Sequence, residues 1–307
     1  MIGIYRKKGK PVCNHNIKYI KEMKFDPSKR LSNQQTRPLQ LRLLKILEDI
    51  DRVCKAHNIR YYLIAGTMLG AVRHKGFIPW DDDADVAMPR ADYDRFIKHA
   101  NEWLDEKYEL VSGADTPQYP YQFARIQDKG TTYVLRRDFS FVGGLPVDVF
   151  PLDGMTDSKL RQRIHYSKYR FLVKMLYFSL VDPYKHGRGL RSLVVRVTNR
   201  LISPKWVHRK LDSVQKEYSM DSHPLVADHD NDMSRGILPK EVYGTPVSVS
   251  FEGHHFAGVH DADTYLSHCY GDYMKPPETP PLQNFRYLNL EQPYKRYAGQ
   301  ASPTTSS

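Results

Sequence analysis

Four aspartates crowd into five positions, Asp81, Asp82, Asp83 and Asp85, and no other stretch of the chain is better placed to do chemistry. Carboxylates this close repel one another strongly unless water or a cation screens them. Asp83 and Asp85 alternate with Ala84, Val86 and Met88, so on a strand both leave the same face, roughly 7 Å apart. Hard oxygen donors in that arrangement suit Mg²⁺, a usual companion of phosphate chemistry. A further acid, Asp148, lies among apolar neighbours in Pro146-Val147-Asp148-Val149-Phe150, where burial is costly without a cation or a donor. On a strand beside Asp83 and Asp85, it completes a cluster able to hold one or two divalent ions. Asp148 could then also take the proton from an attacking hydroxyl. In the competing reading, Asp81 to Asp83 form a solvated turn and Asp148 is a satisfied structural acid.

Just upstream, Gly66 and Gly70 bracket Thr67 after an apolar run. Backbone amides at a helix start there, with the Thr67 hydroxyl, could cradle a phosphate. Arg73, His74 and Lys75 lie between this turn and the acids. They either reach a pyrophosphate or form a solvated basic loop. Trp80, Tyr133, Phe139 and Phe141 either cage a quaternary ammonium through cation–π contacts or belong to the core. His223, His229, His254, His255, His260 and His268 fit no usual zinc spacing and read as scattered histidines.

The elements that must position these groups are written in the hydrophobic pattern. Leu39, Leu43, Leu44, Leu47, Ile50 and Cys54 recur at helical spacing, with Pro38 in the first turn, Thr36 as cap and Asn58 as stop. Residues 59–65 (IRYYLIA) read as a buried strand. A short helix over 68–73, a strand over 83–88 and an amphipathic helix over 91–104 follow. Shorter strands are expected at 108–111, 122–127 and 131–136, and a buried one over 145–150. This order argues for an α/β core. From Asp157 the character changes: Lys159, Arg161, Arg163, Lys168, Arg170 and Lys174 interleave with aromatic and aliphatic residues. Two more helical patterns, 190–202 and 205–218, complete a basic helical insertion. It either lies against an anionic membrane or is an ordinary solvated face. A hairpin over 245–256, a helix over 262–269 and an extended run over 276–281 come next. The expected organisation is a basic arm (1–35), a core (36–156), the insertion (157–220), a part completing the core (221–298) and a disordered tail (299–307).

At 307 residues, 40% hydrophobic and 26% charged, the chain has the composition of a soluble globular protein. A net charge of +11 favours polyanionic partners. Three widely spaced cysteines, Cys13, Cys54 and Cys269, encode neither a disulfide framework nor a cysteine zinc site, which fits a reducing compartment. No secretory signal, no membrane-spanning run and no nucleic-acid recognition motif is evident.

The order Gly-Thr-x-Leu-Gly-Ala-x-Arg-His-x-Gly-Phe-Ile-Pro-Trp-Asp-Asp-Asp-x-Asp, from Gly66 to Asp85, resembles the LicD family of phosphotransferases, to which fukutin and fukutin-related protein also belong. Val147-Asp148-Val149-Phe150-Pro151-Leu152-Asp153, Phe251-Glu252-Gly253, Tyr270-Gly271-Asp272-Tyr273-Met274 and Pro276-Pro277 agree with it. The resemblance implies a nucleotidyltransferase-like fold, a small mixed sheet flanked by helices. It implies Mg²⁺ or Mn²⁺ on Asp83, Asp85 and Asp148 and carries over to Gly66, Thr67 and Arg73 as donor contacts, to which the reading of the residues adds Gly70, His74, Lys75 and Trp80. The implied reaction moves a phospho-alcohol from a CDP-linked donor, such as CDP-choline, to a sugar hydroxyl. CMP is released, and the acceptor is a cell-surface glycan or its lipid-linked precursor. A cytoplasmic enzyme, peripheral at the inner membrane face, would fit this reaction. Two departures stand out: Glu278-Thr279-Pro280-Pro281-Leu282-Gln283 replaces the basic and histidine residues usual after the double proline, and the zinc cysteines of fukutin-related protein have no counterpart. Rival readings are a nucleotidyltransferase that releases pyrophosphate, a glycosyltransferase, and a non-catalytic basic module for membranes or polyanions.

Overall fold

The computed structural model of the chain describes residues 31–300, apart from 137–138, 140 and 182–188. The expected arm therefore lies mostly outside the described residues, as do 301–307 of the expected tail. In chain order the elements are α1 (Asn33–Ala56), β1 (Tyr62–Leu63), α2 (Ala65–His74), β2 (Asp85–Pro89), α3 (Arg90–Trp103) and β3 (Tyr108–Val111). Then come β4 (Ala124–Leu135), β5 (Val142–Met155), α4 (Lys159–Leu180), α5 (Leu190–Leu201), α6 (Pro204–Gln215) and β6 (Leu225–Asp228). The chain closes with α7 (Met233–Gly236), β7 (Ile237–Pro239), α8 (Lys240–Tyr243), β8 (Val247–Phe251), β9 (His254–Gly258), α9 (Ala262–Tyr270), β10 (Phe285–Asn289) and α10 (Tyr294–Gln300).

The strands form one ten-stranded mixed sheet whose main path runs β10-β4-β5-β2-β1-β9-β8. β3 pairs with β4, β6 with β5, and β7 with β6. The residues after the insertion thus complete the sheet begun before it, at both of its edges. Strand β2 runs parallel to β5 with Asp85 opposite Asp148 and Val86 opposite Val149. This parallel pair is buried on both faces, which is why its sequence reads as a nearly continuous apolar run.

Helix α1 covers the sheet with the stripe anticipated from its spacing, Leu39, Leu43, Leu44, Leu47, Ile50 and Cys54 all being buried, and Ile46 and Val53 join it. Each aliphatic side chain among them contributes about 1.5–3 kcal/mol relative to an exposed position. The helix begins earlier than expected. Ser32 and Gln35 form a reciprocal capping box that supplies the orphan amides, so Thr36 is not the cap and Pro38 lies inside the helix. The expected strand over 59–65 shrinks to Tyr62–Leu63, because Ala65, at φ +48°, turns the chain directly into α2. The final helix runs to Gln300, so Gly299 and Gln300 belong to it rather than to a tail. The insertion carries its own small core, Tyr169, Leu172 and Leu176 of α4 against Val207 and Leu211 of α6.

Candidate active site

Beside the parallel β2–β5 pair opens a cavity of about 790 Å³. The sheet side supplies Asp82, Asp83, Asp85, Arg125 and Asp148, and the opposing helix α4 supplies Arg170, Val173, Lys174 and Tyr177. Asp148 is brought next to Asp85 as the sequence required, and its amide donates to the carbonyl of Ala84 at 2.9 Å. Asp83, however, precedes the strand rather than starting it. It is placed by a tie from far along the chain: the Asn284 side-chain amide donates to Asp83 Oδ2 and the Asn284 backbone N–H to Asp82 Oδ2, both at 2.8 Å.

The local electrostatics are those of an anion-crowded site. Burial and then the charges of Asp83, Asp148 and Asp81 hold Asp85 protonated well above the usual carboxylate range. Burial and the neighbouring Asp83 push Asp82 up to about 8. Asp81 is raised by burial and its two neighbours, and it shares a hydrogen bond with Asp83. Asp83 itself is raised by burial and Asp148. Carboxylate oxygens of Asp81, Asp82 and Asp83 all lie within 4.8 Å of one another. Mutual repulsion among hard oxygen donors is what a bound divalent cation relieves, so this donor set fits Mg²⁺ or Mn²⁺.

Asp148 is less free than its sequence position suggests. Arg125, on the neighbouring strand β4, holds both its oxygens at 2.6 and 3.0 Å. The guanidinium in turn lies 4.2 Å from the centre of the Tyr121 ring. Burial raises the Asp148 pKa and the Arg125 charge opposes that rise. Nothing in the sequence around Arg125 marks this pairing; the strand register across 23 positions creates it. Asp230 was missed for the same reason. It lines the cavity from the loop after β6 and accepts from Gln122 Nε2 at 3.0 Å. Burial, Asp228 and Asp148 push it up to about 7.

The expected phosphate turn takes a different local structure. Gly66, Thr67 and Gly70 lie within helix α2 rather than in a turn before it. The Thr67 hydroxyl, buried, accepts the Asp85 N–H at 2.8 Å and so fixes the acidic strand. A side chain at position 66 would put its Cβ 2.8 Å from Asp81 Oδ2, so glycine lets the acidic loop approach the helix start. One at position 70 would meet the Gly76 carbonyl at 2.4 Å. Arg73, His74, Lys75 and Trp80 do not line the cavity. Arg73 instead donates to the Tyr273 carbonyl at 2.7 Å, which ties in the Tyr270–Met274 motif. The ring of His74 stands edge-on to Trp80, 6.5 Å between centres, and burial lowers its pKa. Lys75 caps α2 in the left-handed conformation, and its carbonyl accepts the Glu252 N–H at 2.8 Å. Glu252 also holds Arg37 and the Phe77 amide, so the Phe251-Glu252-Gly253 motif clasps α1 to the loop that leads to the acids.

Of the four candidate cage aromatics, Tyr133 and Phe139 line the cavity and Trp80 and Phe141 do not. Tyr121, Phe123, Phe150, Tyr166, Tyr169 and Tyr177 supply the rest of its aromatic wall. The histidines gather into no zinc site among the described residues, but His229 is far from a scattered residue. It is buried, with its Nε2 2.8 Å from His165 Nε2 of α4 and its Nδ1 3.5 Å from Asp153 Oδ2. That contact joins the insertion to the sheet at the cavity wall, which His229 lines.

A mixed sheet with flanking helices and an acid-lined cleft at a parallel strand pair defines a nucleotidyltransferase-type domain. The family model described as "LicD/FKTN/FKRP, nucleotidyltransferase domain" matches residues 58–179. The lipopolysaccharide cholinephosphotransferase LicD of Haemophilus influenzae is 30% identical over 258 residues, covering 79% of this chain and 92% of that protein. An uncharacterized protein of Rickettsia prowazekii is 42% identical over 52 residues, 17% of this chain and 20% of its own length. The chain belongs to the LicD family. Within the described residues no helix is long and apolar enough to cross a membrane.

Proposed function

We propose that this chain transfers phosphocholine, or a closely similar phospho-alcohol, from a CDP-linked donor to a sugar hydroxyl of lipopolysaccharide or its lipid-linked precursor. The observation that carries this reading is the pairing of Asp85 with Asp148 on adjacent parallel strands at an aromatic-walled cavity. The extensive likeness to a lipopolysaccharide cholinephosphotransferase supports the choice of donor and acceptor. A cytoplasmic site of action follows from the need for a CDP-linked donor.

Asp83 and Asp85, with Asp148 or the adjoining Asp81–Asp82 pair, are the residues to hold Mg²⁺ or Mn²⁺. When bound, the ion neutralises pyrophosphate charge and polarises the phosphoryl centre. The aromatic wall then offers ring faces to a quaternary ammonium, each such contact worth about 0.5–2 kcal/mol. The acceptor oxygen attacks the phosphorus that carries the alcohol, the bond to the bridging oxygen breaks, and CMP leaves with the electron pair. The acceptor proton passes to a carboxylate at the cavity wall. Asp148 is one acceptor for it. Its two bonds to Arg125 favour a second reading, in which Asp230 takes the proton, having only one such bond to keep. Purified protein with Mg²⁺ and CDP-choline should release CMP slowly even without acceptor, and faster with a deacylated lipopolysaccharide core. Pyrophosphate as the small product from CTP would instead establish a nucleotidyltransferase, and no turnover of any CDP-alcohol would end the proposal.

A further inference from the structure

Helix α4 has two apolar stripes on opposite sides, where a solvated helix needs one. Its inner stripe, including Tyr169, Leu172 and Leu176, packs on α6. Its outer stripe follows the same helical period: Leu160, Ile164, Phe171 and Phe178 lie 4, 11 and 18 positions along one face. Leu160 is 68% exposed and Phe171 63% exposed. Helix α5, which packs on α4, repeats the pattern with Leu193, Val194, Val197 and Leu201 all exposed. Between these residues the two helices carry nine Lys or Arg and no Asp or Glu at all.

We infer that the α4–α5 face docks this chain on an anionic lipid bilayer. A helix face that alternates exposed aliphatic and aromatic groups with an excess of cations, Lys168 and Arg170 being paired with Glu217 and Asp232, suits the boundary between acyl chains and anionic headgroups. Charge selects this occupant over the alternatives. Residues 1–30 carry nine Lys or Arg against two Asp or Glu and so are repelled by the face. A second copy would set one cationic face against another. A nucleic acid would satisfy the cations but leave the apolar stripe in water.

The placement ties docking to the cavity. The same helix turns Arg170, Val173, Lys174 and Tyr177 into the cavity wall, so a docked α4 sets the cavity beside the headgroup layer. The acceptor would then be met while still attached to its lipid. That last step rests on the reaction proposed above; the docking itself does not, because vesicle binding is read without turnover.

Cosedimentation of the full chain with vesicles tests the inference. Binding is expected to phosphatidylglycerol-containing vesicles, to be lost in high salt, and to be weak or absent on pure phosphatidylcholine. Phe171→Glu and Leu160→Glu should each weaken it about tenfold or more. Arg161→Glu with Arg163→Glu should weaken it by about fivefold per charge removed. These side chains are exposed, so unchanged thermal melting and unchanged CMP release from soluble CDP-choline should accompany the loss. Equal binding to both kinds of vesicle, or none to either, overturns the inference. So does binding to an oligonucleotide without vesicle binding, or a dimer in solution that Phe171→Glu converts to monomer.

Discussion

The two walls of the cavity have opposite charge and opposite origin. The sheet wall gathers Asp82, Asp83, Asp85 and Asp148, whereas the helical wall offers Arg170 and Lys174. The acids are fixed by backbone: Asp85 and Asp148 sit in register on paired strands, and Thr67 and Asn284 fasten the loop before them. The bases ride on a helix whose packing is set by its other face. In the reaction proposed above, rigid placement suits groups that would hold an ion and a reacting phosphorus within fractions of an ångström. Long cationic side chains on a helix suit the looser task of receiving an anionic substrate.

If the walls divide the work this way, substitutions on the sheet side should remove turnover and those on the helix side should alter substrate binding. The largest effect is expected from Asp85→Asn or Asp83→Asn: CMP release should fall by about a thousandfold or more. These proteins should melt no lower than wild type without divalent ion, since one of several repelling carboxylates has gone. The same crowding has a pH signature. Asp82 keeps its proton up to about 8 in the folded chain but only to about 4 when unfolded. A carboxyl whose folded pKa is raised binds more protons folded than unfolded across that window. Its contribution to stability therefore declines as pH rises from about 4 to about 8. Calorimetry in EDTA should show this decline, Mg²⁺ at pH 8 should reverse it, and Asp83→Asn should lose the Mg²⁺ increment.

Next in size is Arg125→Met, which leaves Asp148 buried without its partner and should cost about 3–5 kcal/mol in denaturant unfolding. A stability loss below about 1 kcal/mol would show the bridge to be dispensable. Asp230→Asn should then decide which carboxylate takes the acceptor proton. The base works deprotonated, so the wild-type rate should climb as pH rises through about 7, the value to which Asp230 is pushed. With Asp230→Asn the rate should drop about ten- to a hundredfold and that rise should vanish. An unchanged profile returns the role to Asp148. The smallest effect belongs to the helical wall: Arg170→Gln with Lys174→Gln should raise KM several-fold and leave kcat nearly intact. A loss of kcat there would dissolve the distinction between the walls.

Much of the sheet wall was legible because it is written locally. An Asp-x-Asp pattern entering an apolar run and an acid embedded in Pro146–Phe150 needed only strand periodicity to be read, and the α1 stripe needed only helical periodicity. The Gly66-Thr67-Gly70 segment was misread as a turn because small residues signal both turns and tight helix packing. Here close approach to Asp81 and Gly76, invisible in sequence, decides between the two. Arg125, Asp230 and Asn284 escaped for one reason: each is hydrogen-bonded to a partner 23 to 202 positions away, and no local pattern encodes such partners. The apolar outer stripe of α4 escaped because interleaved apolar and basic residues do not reveal which face packs inward until the neighbouring helices are in place.

The grip of Asn284 on Asp82 and Asp83 also sets an order of events during synthesis. Those acids leave the ribosome early, yet the residue that orients them arrives some two hundred positions later. Strand β10, which begins beside it at Phe285, pairs with β4 in the same late step. A growing or prematurely terminated chain therefore holds the acidic loop untethered until Asn284 and the residues of β10 have emerged.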